Sequence, residues 1–207
     1  MATRIGLISD IHATPEPLRE ALGALANAEV ATILCAGDIA GYGPDLESTV
    51  ELLVGSDVRS ILGNHDLWWL ADQQSEKGGP VADYMDQLPL VAELEIEGCR
   101  IVMVHGSPPA SVMEGIKLLD EDGEMVDELR DHWRGQLEGF AADVLVVGHT
   151  HQVYSEKMAG ILVVNPGSTL FNHTCAILTL PEMEVTFLPI GGSKPEPAWN
   201  WGMQYRR

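Results

Sequence analysis

Five apolar runs in this chain each end in side chains that can bind a metal ion. The runs are short and rich in Ile, Leu and Val, which is typical of buried strands. In an α/β sheet, the loops that follow the carboxyl ends of the strands gather at one edge. The polar residues in these loops are therefore predicted to converge although they lie far apart in sequence. They are Asp10-Ile11-His12, Gly37-Asp38, Gly63-Asn64-His65-Asp66, His105-Gly106 and Gly148-His149-Thr150-His151.

The elements between these loops predict an α/β fold. In the first half, apolar strand-like runs at 5–9 and 31–36 are each followed by a helical pattern, at 15–28 and 44–54, and the run at 58–62 leads into Gly63. Strand-helix-strand units of this kind favour a mainly parallel sheet. The second half changes character, with a hairpin expected around residues 97–99 and further strand candidates at 144–147, 153–157, 161–164, 175–180 and 185–190. Two packed sheets with helices outside would bury both sets.

Length and composition indicate one globular domain without a membrane segment. A chain of 207 residues with 45% hydrophobic residues can bury one sizeable core, assigned here to residues 1–190. The sequence leaves open whether the tail at 191–207 packs back. Neither a targeting segment nor an apolar run of membrane-spanning length is found, which predicts a cytoplasmic protein without membrane partners. Three widely spaced cysteines, Cys35, Cys99 and Cys175, are expected to be buried free thiols.

The excess of acidic residues argues against some classes of binding partner. The formal net charge is −19, with 12 Lys and Arg against 31 Asp and Glu. Binding to long nucleic acids depends on Lys and Arg displacing counterions, so no such partner is expected. Short nucleotides and other small phosphate esters are not excluded by this argument. Oligomeric state cannot be deduced from these features.

The candidate ligands are too many for one tetrahedral metal site. They comprise two carboxylates, one amide oxygen and four imidazoles, which favours two metal ions over one. Asp38, from a central strand of the first half, is the candidate bridge between them. Oxygen and imidazole ligands without thiolate suit Mn²⁺, our preferred metal, and also Fe, Zn²⁺, Ni²⁺ or Co²⁺. The seven predicted ligands are Asp10, His12, Asp38, Asn64, His105, His149 and His151.

In order and spacing, these motifs resemble the motif set of the calcineurin-like metallophosphoesterases. The stretch Asn165-Pro166-Gly167-Ser168 also resembles one found after the last motif in small bacterial phosphodiesterases of that group. The resemblance implies two mixed β-sheets packed as a sandwich with flanking helices, an α/β/β/α arrangement. It further implies that Asp38 is shared by two ions. One ion would take Asp10, His12 and His151 as its other ligands, and the second would take Asn64, His105 and His149.

The resemblance also implies a dinuclear phosphohydrolase mechanism. Two bound ions would lower the pKa of a water molecule and so supply the nucleophile that attacks phosphorus in line with the leaving oxygen. His65, which the resemblance excludes from the ligands, would donate a proton to the leaving group. Asp66 would orient the ring of His65 or favour its charged form. The second motif continues as Gly41-Tyr42 instead of the Asp-Arg pair of Ser/Thr protein phosphatases, which argues against protein dephosphorylation.

Several readings of the function and of individual side chains stay open. The leading one is a phosphodiesterase acting on a small phosphate ester. A phosphomonoesterase or nucleotidase would use the same site, and a non-catalytic protein-binding scaffold, like a retromer subunit of this fold, is the third alternative. Trp68 and Trp69 are expected either to stack on a flat leaving group or to pack in the core. Tyr42 can line the cleft or cap the core, and His173 is expected in a turn or strand.

Overall fold

The structure, a computed structural model, describes residues 2–72 and 79–200. Strands and helices alternate in the first half, and strands dominate the second half, as predicted. The strands within these ranges are β1 Thr3–Ile8, β2 Thr32–Cys35, β3 Arg59–Ser60, β4 Val91–Ile96, β5 Cys99–Val104, β6 Val144–Val146, β7 Val153–Met158, β8 Ile161–Pro166, β9 Thr174–Leu180 and β10 Glu184–Pro189. The helices are α1 Pro15–Asn27, α2 Leu46–Gly55, α3 Asn64–Asp72, α4 Pro80–Met85 and α5 Asp127–Gln136.

The strands form two mixed sheets of five strands each. The first has the order β10-β9-β1-β2-β3, in which β1, β2 and β3 run parallel, β9 is antiparallel to β1, and β10 is antiparallel to β9. The second has the order β4-β5-β6-β8-β7, with β5, β6 and β8 parallel at its centre and an antiparallel strand at each edge. The expected hairpin joins β4 and β5. The parallel strands β1, β2 and β3 of the first sheet and β5, β6 and β8 of the second have their carboxyl ends at the same edge of the sandwich.

Three apolar clusters define four layers. The two sheets face each other through fully buried side chains such as Leu7, Leu34, Ile101 and Val146. A second cluster packs α1 and α2 on the outer face of the first sheet, and a third packs Trp133 of α5 on the outer face of the second. The predicted two-sheet sandwich with flanking helices is therefore confirmed. The layers have the order helix-sheet-sheet-helix, so both faces of each sheet are covered by apolar side chains. Polar residues from different strands can therefore meet in the loops that follow the strands.

The segment after β10 returns to the second sheet. Within it, Ala198 forms an isolated antiparallel bridge with Gln152, and the amide of Val153 donates to the carbonyl of Pro197 at 2.8 Å. The part of the predicted tail at 191–200 is thus ordered against the fold, and the rest, 201–207, lies outside the described residues. Cys35, Cys99 and Cys175 are buried free thiols, as expected. Among the described helices, none has the length and apolarity needed to cross a bilayer.

Candidate metal centre

The predicted ligands lie in five loops at one edge of the sandwich. Each loop directly follows one of the strands β1, β2, β3, β5 and β6. Backbone hydrogen bonds join neighbouring loops within each sheet. The amide of Asp10 donates to the carbonyl of Gly37 at 2.9 Å, and the amide of Gly148 donates to the carbonyl of His105 at 2.8 Å. The structure therefore brings together all seven predicted ligands from positions up to 141 residues apart.

One group of ligand atoms is formed by Asp10, His12 and His151. All three side chains are buried, and their ligand atoms lie within 4.8 Å of one another. The Nε2 atoms of His12 and His151 are 3.1 Å apart, and Nε2 of His151 lies 3.4 Å from Oδ1 of Asp10. These are the residues that the family resemblance assigns to one ion, together with Asp38.

A second group is formed by Asp38, His105 and His149, with Asn64 beside them. Oδ1 of Asn64 lies 3.1 Å from Nε2 of His105 and 2.9 Å from Nδ1 of His149. Nε2 of His105 lies 3.4 Å from Oδ1 of Asp38. This is the set that the resemblance assigns to the other ion.

Asp38 connects the two groups. Its carboxylate belongs to the second group and also to a third, in which it lies within 4.8 Å of ring nitrogens of His12 and His65. Its Oδ1 additionally accepts a hydrogen bond from the amide of His65 at 2.9 Å. A carboxylate that faces ligands from both sets is placed where a bridging ligand would be required.

Backbone packing holds these carboxylates in place. Gly63 lies so close to Asp38 that an added Cβ would overlap Oδ1 of the carboxylate, and a Cβ on Gly148 would lie 2.7 Å from Oδ2 of Asp10. Glycine is required where a backbone approaches a neighbouring group this closely. The glycine that precedes Asn64 and the one that precedes His149 thus have a steric role that the loop motifs alone did not reveal.

Two ligand imidazoles are oriented by their second ring nitrogen. Nδ1 of His105 lies 2.7 Å from the carbonyl of Ala36, and Nδ1 of His12 lies 3.3 Å from the carbonyl of Ala40. A carbonyl can only accept, so in each ring Nδ1 carries a proton, and Nε2 is the nitrogen that faces the centre of the site. This is the usual arrangement for a metal-binding histidine, whose outer nitrogen donates to a carbonyl or carboxylate.

The electrostatics of the cluster depend on the buried carboxylates. Burial favours the neutral form of Asp10 and Asp38, but for Asp10 the hydrogen bond and charge of His151, and for Asp38 the charge of His105, outweigh burial and lower the pKa of each carboxyl. Burial would lower the pKa of His105, but Asp38 raises it to about 9. Burial dominates for His12 and lowers its pKa to about 4. The cluster therefore contains ionised carboxylates that require nearby positive charge.

The chemistry of the donors fits divalent cations. Oδ1 of Asn64 faces the two imidazole nitrogens and also the carbonyl oxygen of Val112, 3.2 Å away, so in this orientation it faces only acceptors. Either the amide is reversed and shares its two hydrogens among these three atoms, or a cation would lie between the oxygen and the ring nitrogens. Nε2 of His12 and Nε2 of His151 face each other in a similar way. Carboxylates and imidazoles that point inward, without a thiolate, are ligands for first-row divalent metals.

His65 and Asp66 occupy different environments, although they are neighbours on α3. The His65 ring is part of the cleft wall and lies within 4.8 Å of ligand atoms of Asp38 and His12. Burial lowers its pKa, although the charges of Asp38 and Asp10 oppose this. The position is suitable for a group that exchanges a proton with a substrate, while its distance also permits contact with an ion.

Both carboxylate oxygens of Asp66 bind backbone amides, which argues against the predicted orientation of the His65 ring by this side chain, whereas its predicted effect on the charged form of His65 stays a prediction. Its Oδ1 accepts from the amide of Ala40 at 2.7 Å, and its Oδ2 accepts from the amide of Gly63 at 2.8 Å. The side chain is fully buried, and burial followed by the charge of Asp38 raises its pKa to about 7. Asp66 therefore joins the loops after β2 and β3 instead of orienting the His65 ring. The sequence could not reveal this, because one partner is a backbone amide 26 residues away.

A cleft of about 300 Å³ opens over the candidate metal centre. Its walls include the ligands Asp38, Asn64, His149 and His151 together with His65. A second cavity of about 270 Å³ adjoins it, and the two share His149, Thr150, Trp199 and Asn200. Among the described residues lining the main cleft there is no Lys or Arg, and Lys117 lines the second cavity. Positive charge for a phosphate group would therefore have to come mainly from bound cations.

The remaining side chains of interest divide between the cleft and the core. Tyr42 and Trp68 line the cleft, whereas Trp69 packs against the helix-covered face of the first sheet. His173 lies in the turn before β9, and its carbonyl accepts from the amide of Ile190. The sequence analysis missed Trp199, which lines both cavities. No local pattern marks it, and two of its described partners, His151 and Phe171, lie at least 28 residues away.

The stretch 165–168 supports the first ligand loop. The hydroxyl of Ser168 donates to the carbonyl of Asp10 at 2.6 Å and accepts from the amide of Phe171 at 3.1 Å. Asn165 donates through its amide to the carbonyl of Gly148 at 3.0 Å. This motif, noted in the sequence for its resemblance, thus connects the end of β8 to the loops that contain Asp10 and His149.

Comparison with known proteins agrees with this architecture. The family profile described as the calcineurin-like phosphoesterase superfamily domain matches residues 3–182. A probable metallophosphoesterase of Methanothermobacter thermautotrophicus is 29% identical over 193 residues, covering 92% of this chain and 87% of that protein. The crystal structure of a hypothetical protein from Pyrococcus horikoshii OT3 is similar with a TM-score of 0.72 at 17% identity, covering 94% of this chain and 89% of the other.

A structure described as that of a novel archaeal phosphodiesterase is also similar, with a TM-score of 0.57 at 20% identity and coverage of 90% of this chain and 99% of the other. At this identity the similarity shows a common fold. The profile match spans most of the chain and all five ligand loops. The chain therefore belongs to the calcineurin-like phosphoesterase superfamily and is a metal-dependent phosphoesterase.

Proposed function

We propose that the protein is a dinuclear phosphodiesterase acting on small phosphate esters. The observation that carries the proposal is the position of Asp38, whose carboxylate belongs at once to the ligand group with His105 and His149 and to the group with His12. A single ion would leave part of this ligand set unused, because the set is larger than one tetrahedral site requires. When bound, two divalent cations would supply an activated water and neutralise the phosphoryl oxygens.

The residues of the chain have separate roles in this proposal. Asp10, His12 and His151 hold one ion, Asn64, His105 and His149 hold the other, and Asp38 is shared. His65, at the wall of the cleft, donates a proton to the leaving oxygen, which makes the alcohol a better leaving group.

The charge of the cleft favours diesters over monoesters. A phosphodiester carries one negative charge and a monoester nearly two at neutral pH. The described lining of the main cleft offers no Arg or Lys to neutralise the additional charge. The adjoining second cavity gives space for a second ester substituent. The archaeal phosphodiesterase with a similar fold supports the same choice.

An activity panel tests this function. The metal-free protein is reconstituted separately with Mn²⁺, Zn²⁺, Ni²⁺ and Mg²⁺ and assayed on bis-p-nitrophenyl phosphate and p-nitrophenyl phosphate. The proposal predicts a higher kcat/KM for the diester, with Mn²⁺ among the activating ions. A higher kcat/KM for the monoester would instead identify a phosphomonoesterase or nucleotidase. Inactivity on both substrates with two ions bound would favour the protein-binding scaffold, against which the complete ligand set and His65 currently argue.

A further inference from the structure

A stretch of chain beyond the matched family domain forms part of the active-site wall. The family profile ends at residue 182, whereas Trp199 and Asn200 line the cleft over the metal centre. The amide of Trp199 donates to the carbonyl of the ligand His151 at 3.0 Å. Nδ2 of Asn172 donates to the carbonyls of both Glu196 and His151, at 2.6 and 2.9 Å. Trp199 is thus held at this position by hydrogen bonds of its own segment.

Aromatic side chains continue from Trp199 around the cleft. The Trp199 ring stacks on Phe171 with centroids 3.9 Å apart and an interplanar angle of 17°. Tyr42 lies next to Phe171 with centroids 5.7 Å apart, and the His65 ring lies between Tyr42 and Trp68, with centroid distances of 4.6 and 4.8 Å. Rings that pack against one another in this way are fixed in orientation and offer a preformed surface.

The part of this surface that faces the cleft is unusually exposed. Trp68 is 53% exposed, Tyr42 46% and Met113 59%, and all three line the cleft. Only Val54 and Leu90 are comparably exposed among the large hydrophobic residues that the structure describes. Exposed apolar residues grouped at one place, in contrast to scattered ones, indicate a binding surface. Because these residues line the cleft over the candidate metal centre, an ester held at the centre would cover them.

We propose that Tyr42, Trp68 and Trp199 form a subsite for a planar aromatic substituent of the phosphate ester, such as a nucleobase. This inference rests on the proposed function, since it places the phosphate at the metal centre. Ring faces favour flat groups through stacking, and the thioether of Met113 makes favourable contacts with aromatic edges. The small volume of the cleft, about 300 Å³, and its polar groups beside the rings suit a heterocycle better than a long acyl chain.

Binding of two matched pairs of ligands tests the subsite. AMP and ribose 5-phosphate share the phosphate and the sugar and differ in the base, while phenyl and hexyl phosphate differ in whether the apolar group is flat. Each is titrated calorimetrically into the protein loaded with Mn²⁺, for the wild type, Trp68→Ala, Trp68→Phe and Leu90→Ala. Leu90 is 40% exposed and is absent from the lining of both cavities, so it controls for loss of exposed apolar area.

The wild type should bind AMP about 5- to 100-fold more tightly than ribose 5-phosphate, which is the range expected for base stacking on an aromatic side chain. Trp68→Ala should remove most of this preference while changing the Kd of ribose 5-phosphate less than about twofold, and Trp68→Phe should keep a large part of it. Leu90→Ala should behave like the wild type. A preference confined to phenyl over hexyl phosphate would assign the subsite to simple aryl esters.

The proposal is overturned if neither flat ligand is preferred in the wild type, or if Trp68→Ala weakens AMP and ribose 5-phosphate equally. If Trp68→Ala reduced the affinity for phenyl phosphate and for hexyl phosphate equally, this would likewise show that the wall is apolar but does not select flat groups. Calorimetry requires no turnover, so this result is independent of the activity panel. A Trp68-dependent preference in a protein without diesterase activity would retain the subsite and reject the proposed function, and the converse would reject the subsite alone.

Discussion

Five of the seven predicted ligands have a backbone conformation that is unfavourable for their residue type. Asp10, His12, Asp38, His149 and His151 have φ between 48° and 67°, in the left-handed region. A residue with a side chain loses roughly 1–2 kcal/mol there relative to the right-handed region. Such strain concentrates at functional sites, where the surrounding structure enforces it. Here it turns successive side chains of short loops towards one point, which regular strand geometry cannot do.

Removal of the His65 imidazole should affect turnover more than metal content. We expect His65→Ala to bind the same number of ions as the wild type and to lower kcat on a diester by about 100-fold or more, which is the usual contribution of a general acid. Metal content is measured by elemental analysis and kcat under saturating substrate. If the variant loses an ion, His65 is a ligand, which its distance to Asp38 and His12 would permit.

Asp66 should be required for stability. Replacement by Ala leaves two buried backbone amides, those of Ala40 and Gly63, without their acceptor. We expect the free energy of unfolding of the metal-free protein to fall by about 2–4 kcal/mol in urea titrations. Asp72→Ala, which removes an exposed carboxylate from the same helix, is the control. Unchanged stability together with an altered pH profile of kcat would restore the original prediction that Asp66 acts on His65.

The role of a single residue could be predicted where the strand before it determines its position, and could not be predicted where it depends on contacts between folded loops. Ligands such as Asp10 and His105 could be predicted, because each directly follows an apolar strand and the topology of the sheet then determines where it lies. The role of Asp66 could not, since its partners are backbone amides whose direction depends on the folded loops. Trp199 was missed for the same reason, because the sequence around it contains no motif.

At the scale of elements, two hairpins have the same type of turn. The β4–β5 connection is Glu97-Gly98 and the β7–β8 connection is Ala159-Gly160, and all four residues have positive φ between 50° and 88°. Two-residue turns with positive φ at both positions match the twist of the paired strands and favour Asn-Gly. Gly98 helped to make the β4–β5 hairpin recognisable in the sequence. In the β7–β8 turn, Ala159 is a poor residue for its position, because its φ is positive.

Ala159→Asn should therefore stabilise the protein. Asn tolerates the left-handed conformation that Ala159 adopts at φ of 50°. We expect a gain of about 0.5–1 kcal/mol, which for a domain of this size raises Tm by roughly 1–4 °C in calorimetric scans of the metal-free protein. Ala159→Val, with a β-branched side chain, should lower Tm. The opposite order of the two variants would show that the turn is not of this type in solution.

The segment after β10 should contribute to metal affinity through His151. Trp199 donates its amide to the His151 carbonyl, and its ring stacks on Phe171, which stacks in turn on the His151 ring at 5.0 Å. Residues that orient a ligand typically contribute 10- to 100-fold to metal affinity. We expect Trp199→Ala to weaken one of two classes of Mn²⁺ site by about 10-fold in calorimetric titrations, and Trp199→Phe to restore most of it.

His151→Ala should weaken Mn²⁺ binding at the same site more severely than Trp199→Ala does. It therefore identifies which of the two classes of site depends on Trp199. Comparable unfolding curves for the metal-free wild type and Trp199→Ala would exclude a general loss of structure. Equal weakening of both classes would contradict a positioning role for Trp199 and indicate a wider effect on the fold.

At the scale of the whole molecule, the two-sheet sandwich explains how an acidic protein can have a phosphate site. The net charge is −19, yet both sheets direct their parallel strands to one edge, where two carboxylates and four imidazoles collect. Bound cations would reverse the local sign of the charge. The fold class could be predicted from alternating apolar runs and helical patterns, but the return of residues 191–200 to the second sheet could not, since it depends on contacts between distant parts of the chain.

The most direct test of the account is the number of ions bound per chain and its dependence on Asp38. Metal-free protein is equilibrated with Mn²⁺ by dialysis, and the bound metal is counted for the wild type, Asp38→Asn and His151→Ala. The account predicts two ions for the wild type, a weakened affinity for both in Asp38→Asn, and selective weakening of one in His151→Ala. A single ion in the wild type, or an Asp38→Asn variant that loses only one, would contradict a centre in which this carboxylate is shared.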